Sequence, residues 1–120
     1  MEIIGLLILA LLVFLYVRNM KPGKEINQMT TTDLKKHLGD RSKQFIDVRT
    51  PMEFRARNIK SFRNIPLNEL QKNIGKLSKE KETIVICQSG MRSSKACKIL
   101  SSSGFKNISN VKGGMNAWSN

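Results

Sequence analysis

The residues most able to do chemistry lie together between Cys87 and Ser93. The stretch reads Cys87-Gln88-Ser89-Gly90-Met91-Arg92-Ser93 and follows the apolar run Ile84-Val85-Ile86. A cysteine that ends such a strand stands at the carboxyl edge of a sheet, where open α/β sheets bind ligands. The polar loop from Cys87 to Arg92 then leads into a helix. Gly90 lets the loop curl without a Cβ clash. Successive backbone N–H groups of a curled loop form an anion-binding nest, and the helix that follows adds its positive end. Arg92 contributes a fixed charge. Each of these favours the thiolate of Cys87 and lowers its pKa. The product is a nucleophile in an anion-binding cup. A cysteine alone at a strand end would read as a small core residue. Gly90, Arg92 and the strand–loop–helix setting separate Cys87 from that case.

The elements that must hold this loop are legible around it. Ile26 to Met29 reads as a short strand. Thr31 or Thr32 caps a helix through Leu34 and Leu38, with Gly39 as its stop. Gln44 to Val48 is a strand of β-branched and aromatic residues. Thr50-Pro51-Met52-Glu53 is a capping box with proline at the first helical position. Asn58 is placed to end that helix in a left-handed conformation. Arg63 to Ile65 is a very short strand. Leu67, Leu70, Ile74 and Leu77 form a helical stripe that belongs to the core. Thr83 to Ile86, apolar on both faces, fits a parallel sheet covered by helices. Ser93 to Ser103 is a helix closed by Gly104, and Ile108 to Val111 is the last strand. Gly113-Gly114 leads into a terminal turn around Trp118. The alternation predicts an α/β domain with a mainly parallel sheet.

The chain has 120 residues, 40% of them hydrophobic and 25% charged. That is one globular domain; a disordered chain, a collagen-like chain and a multidomain enzyme are excluded. Two cysteines are too few for a disulfide scaffold and lack zinc-cluster spacing. Lys and Arg number 21 against 9 Asp and Glu, a net charge of +12. The cations are scattered and no recognition motif accompanies them, so no nucleic-acid partner is expected. The lone His37 has no ligand partner at metal spacing, so no metal and no organic cofactor are implied.

The amino-terminal segment differs from the rest. Ile3 to Val17 is apolar throughout apart from Gly5. It lacks the basic start and small-residue cleavage site of a signal peptide, and it lacks the polar face of a core helix. The expectation is a transmembrane anchor over residues 1–18, a linker over 19–25 broken at Pro22-Gly23, and a folded domain over 26–120. Arg18 and Tyr16 suit an interface, which helps a segment that is short for a span. Arg18, Lys21 and Lys24 lie on its carboxyl side, so the positive-inside rule predicts a single-pass cell-membrane protein with its domain in the cytoplasm. Two unframed cysteines agree with a reducing compartment.

Three ordered motifs in this chain resemble single-domain rhodaneses. Cys87 to Ser93 is similar to their active-site loop. Phe45-Ile46-Asp47-Val48-Arg49-Thr50-Pro51-Met52-Glu53-Phe54, continued by Asn64-Ile65-Pro66-Leu67, resembles their Asp-Val-Arg…Glu-Phe motif. Gly113-Gly114-Met115-Asn116-Ala117-Trp118 resembles their carboxyl-terminal Gly-Gly…Trp signature. The resemblance runs from about Ile26 to Trp118. It implies a five-stranded parallel sheet flanked by helices and a sulfurtransferase. Cys87 would take sulfane sulfur from a small donor such as thiosulfate, hold it as a persulfide, and yield it to a thiol or protein acceptor. The backbone amides of Gln88, Ser89, Gly90, Met91 and Arg92 would cradle the persulfide and the donor's anionic group. Arg57-Asn58-Ile59 and Lys60-Ser61-Phe62 depart from the family's Gly-His-Ile and Pro-Gly-Ala. Asp47 and Arg49 fit a structural ion pair as well as a catalytic role.

Two other functions compete with this reading. A cysteine phosphatase uses Cys-x5-Arg, whereas four residues separate Cys87 from Arg92; the shorter loop suits a single sulfur atom. A membrane-tethered interaction module without catalysis would not need Cys87. Cys97, on the helix after the loop, reads as a buried structural thiol or as a resolving cysteine for the persulfide.

Overall fold

The computed structural model describes residues 2–19 and 26–119. The linker and its Pro22-Gly23 break, with Lys21 and Lys24, lie outside the described residues. Helix α1 spans Glu2–Asn19, followed by β1 (Asn27–Met29), α2 (Thr31–His37), β2 (Lys43–Asp47), α3 (Pro51–Ala56) and β3 (Arg63–Asn64). Then come α4 (Leu70–Asn73), β4 (Glu82–Ile86), α5 (Met91–Ser102) and β5 (Ile108–Val111), with a final 3₁₀ turn over Gly114–Ala117.

All strand pairs are parallel, in the order β1-β5-β4-β2-β3. The sheet order puts β4 at the centre, between β5 and β2. Its residues alternate between two cores. Val85 and Cys87 face a layer with Ala96, Cys97 and Leu100 of α5. Ile84 and Ile86 face Leu34, Met115 and Trp118 on the other side. The strand is apolar on both faces because both faces are covered. Leu34 and Leu100 are fully buried, one in each layer. Truncating either to alanine would cost about 2–5 kcal/mol.

Several local expectations are corrected. The cap of α2 is Thr30, whose side chain accepts from the Asp33 N–H at 3.1 Å. Thr31, already inside the helix, instead donates to the Ala117 carbonyl at 3.2 Å. Asn58 does not turn left-handed: positive φ is confined to glycines among the described residues. Helix α3 ends at Arg57 in extended backbone, and the Asn58 side chain donates to the Phe54 carbonyl at 2.8 Å. The Leu67–Leu77 stripe is broken into a 3₁₀ turn, the short α4 and another 3₁₀ turn. Its spacing of three and four serves both helix types, so the stripe still faces the core. Helix α5 starts two residues before Ser93, at Met91.

The transmembrane expectation does not survive. Among the described residues, no helix is long and apolar enough to cross a membrane. The apolar stretch of α1 from Ile3 to Val17 rises only ~22 Å, against a hydrocarbon core of ~30 Å. The single-pass placement, and the orientation argued from its flanking cations, fall with it.

Candidate active site

Cys87 leaves the end of β4 and is fully buried, so a donor must enter the loop to reach the sulfur. The Gly90 N–H donates to Sγ at 2.9 Å, and the Ser93 hydroxyl lies 3.2 Å from Sγ. Gly90 makes this possible. With φ at +111° it is the residue before α5, and the left-handed turn aims its N–H back at the sulfur. The first-turn amides of α5 have no carbonyl within the helix to bond, so the helix presents free donors at this end. Burial alone would raise the Cys87 pKa. Hydrogen bonds from the Ser93 hydroxyl and from the amides of Ser93, Gly90 and Ser89 outweigh it and hold the thiol below its ordinary range.

The sequence marks Ser93 only as a helix start, yet its hydroxyl lies beside the sulfur once the loop curls. It also donates to the Gly90 carbonyl at 3.1 Å, and can swing that proton to a thiolate. A hydroxyl six residues after the cysteine, one turn inside the next helix, was the available signal.

The other loop residues divide by what their side chains touch. Ser89 and Met91 are exposed, Met91 at 75%. Gln88 faces inward to the scaffold: its amide donates to Asn116 Oδ1 at 2.6 Å, and its Oε1 accepts from Arg49 at 3.2 Å. Arg92 makes a two-pronged pair with Glu53, at 2.7 and 2.9 Å. Its charge is therefore shared with a carboxylate, although the Arg92 guanidinium still feels the Cys87 charge. Glu53 also accepts from the Thr50 N–H at 3.0 Å and completes the capping box of α3. The Arg92 pair, ahead of the cap, holds its carboxyl at about 2.

Two supports fix the loop from below. The first is Arg49, buried to 2% and paired with the fully buried Asp47 at 2.8 Å. Its remaining N–H groups reach the Glu53 and Arg57 carbonyls and Gln88. Asp47 and Arg49 thus brace the loop to α3 without touching the sulfur. The second is the carboxyl-terminal turn. The N–H groups of Met115 and Asn116 donate to the carbonyls of Cys87 and Gln88 at 2.8 and 2.9 Å. That approach needs a glycine at Gly114: an added Cβ would overlap the Cys87 carbonyl oxygen and come within 2.8 Å of the Gln88 carbonyl. Arg57, at one of the positions that depart from the family pattern, donates to the Met115 and Trp118 carbonyls and closes the turn.

Cys97 belongs to the buried core, and burial pushes its thiol up to about 12. A protonated thiol is a poor nucleophile, which weighs against a resolving role at neutral pH. Trp118 is buried, with the Lys35 ammonium 5.2 Å over its ring. His37 is half-buried at the end of α2. Among the described residues there is no cluster of His, Cys, Asp or Glu able to hold a metal.

The Rhodanese-like domain family matches residues 30–120. The chain belongs to the rhodanese-like family. The rhodanese-like domain is 33% identical over 113 residues to the thiosulfate:glutathione sulfurtransferase of Saccharomyces cerevisiae, covering 82% of this chain and 81% of that protein. It is 28% identical over 94 residues to a sulfurtransferase of Allochromatium vinosum, covering 78% and 88%. Its fold superimposes on the crystal structure of a rhodanese-like domain protein from Staphylococcus aureus with a TM-score of 0.72 at 31% identity, covering 79% of this chain and 93% of that one. The Saccharomyces cerevisiae and Allochromatium vinosum relatives are both named sulfurtransferases.

Proposed function

We propose that this chain moves sulfane sulfur from an anionic donor such as thiosulfate to a nucleophilic acceptor through a persulfide on Cys87. The observation that carries the reading is the pair of polar groups on one sulfur, the Gly90 N–H donating to it at 2.9 Å and the Ser93 hydroxyl 3.2 Å away. These groups favour a thiolate at the floor of a loop whose amides converge.

In the first half-reaction the Cys87 thiolate attacks the outer sulfur of thiosulfate. A sulfur–sulfur bond forms at Cys87, the donor's sulfur–sulfur bond breaks, and sulfite leaves with the electron pair. The amides of Gln88, Ser89, Gly90, Met91 and Arg92 hold the outer sulfur and the donor's anionic group. In the second half-reaction an acceptor thiolate attacks that outer sulfur and Cys87 leaves as the thiolate. The proton lost by the acceptor goes to solvent, and no external oxidant or reductant is needed.

The lowered Cys87 pKa weighs against an inert binding module. The short loop, and an Arg92 held by Glu53, weigh against a phosphatase. The test is turnover by the full chain. Wild type and Cys87→Ser are mixed with thiosulfate and cyanide, and thiocyanate is measured. Wild type produces it and Cys87→Ser does not; equal rates in the two would sink the reading.

A further inference from the structure

Arg92 is the one charged residue in the loop from Cys87 to Ser93. It is near enough to feel the Cys87 charge, so it also feels the charge of a donor in the cup. Yet its guanidinium is taken up by Glu53, in two contacts at 2.7 and 2.9 Å. Both side chains stay about a third exposed, at 35% and 32%, so a donor meets the pair rather than the arginine alone. The surroundings keep that balance. The groove of about 310 Å³ that Arg92 borders is otherwise lined by the uncharged Val48, Thr50, Pro66, Leu67 and Asn68. Asp47, the other carboxylate that acts on Arg92, is neutralised by Arg49 at 2.8 Å. Lys95, Lys98 and Lys112 line a separate groove that Arg92 does not border. The Glu53 carboxyl, held at about 2, is charged throughout the neutral range.

We propose that Glu53 is a specificity-determining residue of the donor half-reaction, acting through Arg92. By cancelling the loop's one cation it turns the cup against doubly charged donors and towards singly charged sulfane donors. The inference rests on the sulfur-transfer reading above. The amides of the loop hold one anionic group by their dipoles. A second charge on the donor has no free cation on the loop to meet, and it faces the Glu53 carboxylate across the guanidinium. Across that width, about 7 Å in water, one charge acting on another changes an equilibrium about threefold. A donor of charge −2 feels this twice and a donor of charge −1 once. Thiosulfate and methanethiosulfonate are the two probes. The Cys87 thiolate takes the outer sulfur of either one, the donor's sulfur–sulfur bond breaks, and sulfite or methanesulfinate leaves with the electron pair. The bond changes are the same and the donors differ by one charge.

The full chain is assayed for thiocyanate with cyanide and each donor in turn, and kcat/KM for the donor reads the first half-reaction. E53Q keeps an amide oxygen for the Thr50 N–H, so the start of α3 is preserved while the Arg92 charge is freed. It should raise kcat/KM about tenfold for thiosulfate and about threefold for methanethiosulfonate, so their ratio rises about threefold. R92Q leaves the carboxylate alone and should lower that ratio about threefold. It carries the test with the opposite sign if E53Q does not fold. E53Q/R92Q removes both charges and should return the ratio to that of wild type, which a merely structural role of either residue does not predict. E80Q is the control. Glu80 is also paired, with Lys106 at 3.1 Å, but it lies ahead of β4, at the other end of that strand from Cys87. Screening at that distance should leave the ratio unchanged. An unmoved ratio in E53Q and R92Q, a change in both donors by one common factor, or the same shift in E80Q overturns the assignment. No thiocyanate from wild type with either donor would instead sink the transfer reading, and the assignment with it.

Discussion

Gly114→Ala tests whether the carboxyl-terminal turn positions the loop that holds Cys87. The added Cβ would overlap the Cys87 carbonyl oxygen and crowd the Gln88 carbonyl at 2.8 Å. Both are main-chain atoms of the loop, so no flexible side chain can yield. Gly114 also sits at φ +57°, which costs a residue with a Cβ about 1–2 kcal/mol. Moving the turn away breaks the two hydrogen bonds from Met115 and Asn116, at about 0.5–1.5 kcal/mol each. Together these predict a loss of about 2–5 kcal/mol. Urea unfolding of the full chain measures it. Thiocyanate production, assayed where the variant is still folded, should fall further than the folded fraction, because the Cys87 and Gln88 carbonyls orient the loop. Gly75→Ala is the control: open space surrounds Gly75 and its φ is not positive. It should change stability by no more than about 0.5 kcal/mol, as surface substitutions do. Wild-type stability and activity in Gly114→Ala would refute the reasoning.

Further predictions concern the groups around the sulfur. Ser93→Ala removes the strongest contact that lowers the Cys87 pKa, so the acid limb of the activity–pH profile should move to higher pH; an unmoved limb means the amides suffice. Glu53, held at about 2 against its ordinary 4.5, contributes stability that is fully present above pH 4.5 and lost as pH falls towards 2. Glu53→Gln should therefore flatten the fall of the urea midpoint across that window, and an unchanged fall would assign it to other carboxylates. Cys97→Ala should keep persulfide loading and discharge at wild-type rates while costing about 1–2 kcal/mol for the lost buried sulfur; loss of discharge alone would restore the resolving role.

Much of the scaffold was legible because its signals are local. Thr83 to Ile86 could be read as a buried parallel strand from its unbroken apolar content, and Thr50-Pro51-Met52-Glu53 carries its helix start within four residues. The placement of Cys87 between a buried strand and a helix followed from the same adjacency of strand, loop and helix. What sequence did not reveal depends on long-range closure. Arg92 looked like a free charge on the cup, because its partner Glu53 lies 39 positions earlier and meets it only in the fold. Ser93 became a sulfur contact through the positive φ of Gly90, and Gly114 became a support through backbone 26 residues before it. Asn58 carried a composition signal for a left-handed turn, but extended backbone at Arg57 and a bond to Phe54 served instead. In α1, apolar composition was plain, but the run between its polar ends falls short of a bilayer's thickness.

The central claim is a sulfur carried on Cys87, and a single-turnover mass measurement tests it most directly. The full chain is treated with thiosulfate, freed of excess donor, weighed intact and by peptide, and weighed again after cyanide. The account predicts one added sulfur atom on the peptide that holds Cys87, removed by cyanide and absent from Cys87→Ser. No added sulfur from thiosulfate or any other persulfide donor, or sulfur on Cys97 instead, would contradict it.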